Sequence, residues 1–201
     1  MHTRTLPYTA FLCAVACSLL AGCMSKPEPT RYYTLGDAQP VSKTVGKTLI
    51  ALGPMEIPEY LNRQEIVIRD DTNLALLRFD HWAEPLNVAV KRHLADELNV
   101  LVDDAFVYPF PALIGLRQQY QISGVISAFE ANQGGEIRLT VRWGIISRDK
   151  SVVSEPRKST YTSTLAGVDD ITAVTAGMTG LLDEFAADIA AVLTEMDLTA
   201  Q

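Results

Sequence analysis

Tyr120-Gln121-Ile122-Ser123-Gly124-Val125-Ile126-Ser127-Ala128 and Ile137-Arg138-Leu139-Thr140-Val141-Arg142-Trp143-Gly144-Ile145 are the two stretches that decide the fold of this chain. Their residues alternate at the two-residue period of a strand, most clearly in the second, where apolar side chains face one way and Arg138, Thr140 and Arg142 the other. Gln133-Gly134-Gly135 between them supplies a turn, so they read as an antiparallel hairpin. Tyr120, Ile122, Gly124, Ile126 and Ala128 are expected to share the buried face with Ile137, Leu139, Val141, Trp143 and Ile145. Asp149-Lys150-Ser151 turns the chain once more, into a Ser- and Thr-rich run over 152–164 whose polarity places it near a sheet edge.

Working outward from this three-strand meander, Asp169 and Asp170 cap a long C-terminal helix. Ile171, Val174, Met178, Leu181, Phe185, Ile189, Val192 and Met196 fall three or four apart along it, and Gly177 and Gly180 allow a close approach or a bend. Upstream, Pro85 opens another helix, with Leu86, Val90, Leu94, Leu98 and Leu101 as its apolar stripe. Ile66 to Arg69 and Leu74 to Phe79 flank Asp70-Asp71-Thr72-Asn73 as a second hairpin, and Thr48 to Leu52 is a buried strand closed by Gly53-Pro54.

The whole chain has 201 residues, 48% apolar and 20% charged, which is enough for one core without metal or disulfide staples. Its formal charge of −7 and lack of a long basic run speak against capture of nucleic acid or of an anionic membrane surface. Catalytic signatures are missing: there is no Walker loop, no G-x-G-x-x-G after a strand and no G-x-S-x-G elbow. His81 and His93 are too few for a zinc site of ordinary spacing, and the pairs Asp70/Asp71, Asp103/Asp104 and Asp169/Asp170 sit where turns and helix ends need them. No catalytic residue, metal or dissociable cofactor is expected.

The N-terminus points to a membrane by another route. Arg4 precedes an apolar run over 6–20, shorter than the ~20 residues of a spanning helix, so residues 1–22 read as a secretory leader. Leu20-Ala21-Gly22-Cys23 matches the lipobox of bacterial lipoproteins, in which the cysteine receives an S-diacylglycerol and, after cleavage, an N-acyl chain such as palmitate. Each buried methylene is worth ~0.8 kcal/mol, so such chains anchor a protein without any basic patch. Residues 23–31 form the acylated cysteine and a polar, proline-containing tether; residues 32–201 form the folded domain. Met24 follows the cysteine where an Asp would, by resemblance to Gram-negative lipoproteins, retain the protein at the inner membrane. The expected location is the periplasmic face of the outer membrane.

Three segments are candidate interaction surfaces. Pro54 to Arg63 displays Ile57, Tyr60 and Leu61 beside Arg63; His81-Trp82-Ala83-Glu84-Pro85-Leu86 precedes a helix; Tyr108 to Leu116, including Phe110, Leu113 and Ile114, is apolar and proline-broken. The second and third also admit a purely structural reading: Trp82 under a helix start with Glu84 at its positive end, and Tyr108 to Leu116 as an edge strand and loop tucked on the core.

The lipobox, the early Tyr32-Tyr33-Thr34-Leu35, the stretch Pro58 to Val67 and Trp82-Ala83-Glu84-Pro85-Leu86 together resemble the PqiC/YmbA-type ABC-transport auxiliary lipoproteins. The resemblance implies an α/β fold. Joined to the residue reading, that is a single domain with a mixed, mostly antiparallel sheet flanked by two main helices, one after Pro85 and one at the C-terminus. It further implies a non-catalytic component of an MCE-type lipid transport system that supports membrane integrity, with Cys23 as the lipid anchor. Tyr60, Leu61, Arg63, Trp82, Glu84, Phe110, Leu113 and Ile114 are then the candidate partner-binding residues, and an MCE-domain protein and a permease the expected partners. A homo-oligomeric ring around a tunnel end fits the same role. The alternative is a lipoprotein that itself holds a lipid or small apolar ligand between sheet and helices.

Overall fold

The computed structural model describes residues 28–36, 48–111, 115, 117–149 and 151–196. The expected leader, Cys23, Leu113 and Ile114 lie outside these residues. Eight strands run in chain order as β1 (Arg31–Tyr33), β2 (Thr48–Glu56), β3 (Glu65–Asp70), β4 (Asn73–Trp82), β5 (Ala105–Pro109), β6 (Tyr120–Asn132), β7 (Glu136–Ser147) and β8 (Val152–Thr164). Helix α1 (Leu86–Leu101) separates β4 from β5, and α2 (Ile171–Glu195) follows β8. The fold is α/β, a mixed sheet with two helices in a single domain.

β6 organises the sheet. One of its edges pairs antiparallel with β7 from Tyr120 opposite Ser147 to Ala131 opposite Ile137. Its other edge is shared: β2 runs parallel beside Tyr120 to Val125, and β3 runs parallel beside Ala131 and Asn132. β2 and β3 are therefore two pieces of one sheet edge, and residues 57–64 leave the sheet between them. The expected hairpins are both present, β3 with β4 and β6 with β7, and β8 completes the meander. β5 lies parallel outside β2, and β1 parallel outside β4. The long ladders are antiparallel; the parallel ones are shorter.

The core lies between one sheet face and both helices. Ile137, Leu139, Val141, Trp143 and Ile145 are all buried there, and the Trp143 ring meets Phe185 of α2 edge-on at 5.6 Å. Full burial of a large side chain of this kind stabilises by roughly 1.5–3 kcal/mol. On α1, Leu86, Val90, Leu94 and Leu98 supply the stripe. Asp170 caps α2 by accepting from the N–H groups of Thr172 and Ala173. Gly177 serves close packing: a Cβ there would come within 2.3 Å of the Ile137 side chain, whereas Gly180 faces open space.

The structure corrects four details. β2 continues through Gly53-Pro54 to Glu56; a register shift against β6 between Leu52 and Met55 accommodates the proline that would end a regular strand. Pro85 sits at the N-cap, one position before the first helical residue. Leu101 is 45% exposed, because the chain leaves helical geometry at Val102 and that side chain takes the buried place. In β6 the inward face changes phase: an extra residue between Ile126 and Ala128 makes a bulge, so Phe129 and Ala131 rather than Ala128 continue the core.

Candidate docking face

The sheet face turned away from the helices carries the partners of the buried pairs. Gln121 opposite Ile146, Ser123 opposite Gly144, Val125 opposite Arg142 and Glu130 opposite Arg138 lie along it. Two depressions form there for different reasons.

The first is a groove of about 310 Å³ whose walls include Pro54, Val125, Gly144, Ile146 and Pro156, with Glu56 and Arg142 as its charged residues. It is hollow because Gly144, opposite Ser123 on this face, puts no side chain where its neighbours would. Gly124 faces the core instead, opposite Trp143, where a Cβ would fall 2.9 Å from both the Arg142 carbonyl oxygen and Met55 Sδ. Val125 stands 47% exposed beside this hollow, giving an apolar surface of the kind that proteins or lipid tails cover.

The second is a polar pocket of about 190 Å³ lined by Arg69, Ala128, Glu130, Asn132, Glu136 and Arg138. Its centre is the buried Glu130 carboxylate. Arg69 Nε donates to Oε1 at 2.7 Å, and the Tyr60 hydroxyl and the Phe129 N–H donate to Oε2, each at 2.9 Å. The Phe129 N–H needs a side-chain acceptor because it sits where β2 has ended and β3 has not begun. Residues 57–64 bridge that gap, held by the Leu61 N–H to the Pro58 carbonyl and the Asn62 N–H to the Glu59 carbonyl. Arg69 also lies 5.3 Å from the Tyr60 ring centroid. Burial, and then the Glu130 charge, push the Tyr60 hydroxyl up to about 12, while the hydrogen bond to Glu130 holds the Arg69 guanidinium above its ordinary value.

The sequence-predicted residues distribute as follows. Tyr60 is part of the polar network, but Leu61 beside it is in the core at 3% exposure. Arg63 pairs with Glu65 at 3.3 Å. Trp82 is also buried, and its backbone N–H donates to the Gln64 carbonyl, so this residue sits at the junction of loop and sheet rather than on the surface. Glu84 pairs with Arg92, which also donates to the Leu35 carbonyl and so ties the start of α1 to the segment just after β1. Phe110 is exposed, with Lys91 Nζ donating to its carbonyl. Leu113, Ile114 and Cys23 fall outside the described residues.

Arg69 and Glu130 were not legible as site residues. The only hint was a lone carboxylate in Phe129-Glu130-Ala131, and their meeting depends on the β3–β6 pairing, which is remote in sequence. The same holds for His93, Glu97 and Asp183, whose ligand atoms all lie within 4.8 Å of one another although no metal site was expected. Glu97 follows His93 by one helical turn; Asp183 is on the other helix.

Residues 33–190 match the family model of the ABC-type transport auxiliary lipoprotein component. The chain belongs to this family. No curated protein matches the sequence. Among solved structures, the auxiliary lipoprotein is similar to a crystal structure of an uncharacterized protein, with 16% identity and a TM-score of 0.69 over 83% of this chain and 99% of that one. It is also similar to a protein from Xanthomonas campestris, with 15% identity and a TM-score of 0.62 over 84% of this chain and all of the other. These likenesses establish the fold. Among the described residues of the auxiliary lipoprotein, no helix is long and apolar enough to cross a membrane.

Proposed function

We propose that this auxiliary lipoprotein is anchored in the outer membrane through acyl chains on Cys23 and docks the tunnel of an MCE/ABC-type lipid transport system from the periplasm. Membership of the transport auxiliary family across 33–190 is the observation that carries this reading. Its role is non-catalytic: it positions the transport machinery and so supports membrane integrity, with an MCE-domain protein and its permease as partners. S-diacylglycerol and N-acyl groups fix the attachment point, residues 23–31 give reach, and the helix-free sheet face meets the partner. A homo-oligomeric ring at the tunnel end would present several such faces at once. Crosslinking in cells followed by purification and membrane fractionation tests this. The MCE-domain protein should co-purify and the lipoprotein should appear in outer-membrane fractions; absence of that partner, or recovery in the inner membrane, would contradict the reading.

The groove of about 310 Å³ favours a second reading in which the domain holds an acyl tail itself. Such a tail would lie on the outer sheet face and not between sheet and helices, where Phe129, Trp143 and Phe185 fill the space. Native mass spectrometry of the full chain should then show a lipid beyond the covalent one, and its absence counts against this reading.

A further inference from the structure

We propose that α1 and α2 together form a divalent-cation site from His93, Glu97 and Asp183, of the class that takes zinc. His93 and Glu97 are four residues apart on α1 and so share one face of it. Asp183 comes from α2, and one ligand atom from each residue lies within 4.8 Å of the other two. An imidazole nitrogen with two carboxylate oxygens is a borderline donor set that suits zinc, and three protein ligands leave a fourth position for water. The His93 side chain is 2% exposed and the Asp183 side chain 49%, so a fixed buried ligand faces one that opens to solvent and gives a cation a way in.

A second observation concerns the imidazole itself. His93 Nε2 lies 2.7 Å from Asp183 Oδ1, while its buried Nδ1 has no hydrogen-bond partner. In the tautomer that carries its proton on Nε2, Nε2–H donates to Asp183 and the Nδ1 lone pair is unused. Nothing at Nδ1 locks that tautomer. A cation at Nε2 requires the other tautomer, with the proton on Nδ1. The ring is also confined from above: a Cβ on Gly36 would sit 3.4 Å from His93 Cε1 and 2.7 Å from the Thr179 methyl. Because Nδ1–H then lacks the acceptor that usually supports a metal-bound histidine, the affinity falls roughly 10–100-fold below that of a fully supported site. The bound cation is accordingly exchangeable, and it ties the two helices together irrespective of how the outer face is used.

Equilibrium dialysis of the full chain in detergent against zinc chloride or magnesium chloride, with thermal unfolding in parallel, tests the site. The expected result is one zinc per chain in preference to magnesium, with Tm rising by roughly 5–10 °C at a hundredfold excess over Kd. Asp183→Asn and Glu97→Gln should each weaken zinc binding about tenfold or more; Asp183 is exposed and Glu97 half-buried, and both replacements keep the side-chain size, so the fold is preserved. His93→Gln should abolish binding; if this buried substitution prevents folding, the two carboxylate variants decide. Failure of the wild-type chain to take up zinc at millimolar concentration, or uptake unchanged in both carboxylate variants, would overturn the proposal.

Discussion

Glu130 shows what a single residue can be asked to do in this fold. It is a buried carboxylate, and its cost of desolvation is met by Arg69, the Tyr60 hydroxyl and the Phe129 N–H. Removing one donor leaves part of that cost uncovered. Tyr60→Phe should therefore lower stability by about 1.5–3 kcal/mol in urea unfolding, the range for a hydrogen bond to a charged group. An unchanged midpoint and slope would mean that the hydroxyl contributes nothing net. The variant also has a pH signature. The Tyr60 hydroxyl is raised from 10.0 to about 12, so the folded state holds its proton more tightly than the unfolded chain does. The associated stability is complete below pH 10 and is lost as the pH rises from 10 to about 12. Tyr60→Phe should flatten that loss, leaving the parts due to Tyr161, Tyr33 and Tyr108, all of which burial raises. Equally steep curves for the two proteins would contradict the assignment. At this scale the sequence was least informative: Tyr60 was singled out, but its partners come from β3 and β6, and no local pattern connects them.

At the scale of elements, local chemistry was far more legible. The alternation in β7 specified its buried face completely, and the spacing in α2 specified its stripe, because in each case the burial period is the backbone's own. The β6 bulge broke the same rule after Ile126, since one extra residue reverses every following side chain and leaves no mark in composition. Two turn and cap residues make quantitative cases. Asp170→Ala removes the acceptor for two N–H groups at the start of α2 and should cost about 1 kcal/mol, within 0.5–2, by chemical denaturation. Gly135 closes the β6–β7 hairpin at φ 85°, and a Cβ there would lie 2.4 Å from the Leu165 carbonyl oxygen. Because that obstacle is backbone, Gly135→Ala should destabilise more than the roughly 1 kcal/mol of a left-handed conformation alone. A loss smaller than that for Asp170→Ala would show that the Leu165 segment gives way freely.

For the molecule as a whole, the division of labour between its two faces is the main result. Both helices cover one side of the sheet and fill it with side chains, while the other side keeps an apolar groove and a polar pocket along β6 and β7. The overall plan was readable from the meander and two amphipathic helices. The parallel pairings were not, because nothing in β2 or β3 announces that they share one edge of β6. This explains why Leu61 looked like a surface candidate in a linear reading: the excursion over 57–64 folds back into the sheet gap and draws it into the core, while Trp82, at the end of β4, takes the buried place its structural reading allowed. The surviving candidate surface is the outer face. A photoreactive side chain at Val125, on that face, compared with one at Ala187, on the exposed side of α2, tests the central claim in living cells. The account predicts crosslinks from Val125 to an MCE-domain protein and none from Ala187. Crosslinks from Ala187 alone, or from neither position, would contradict it.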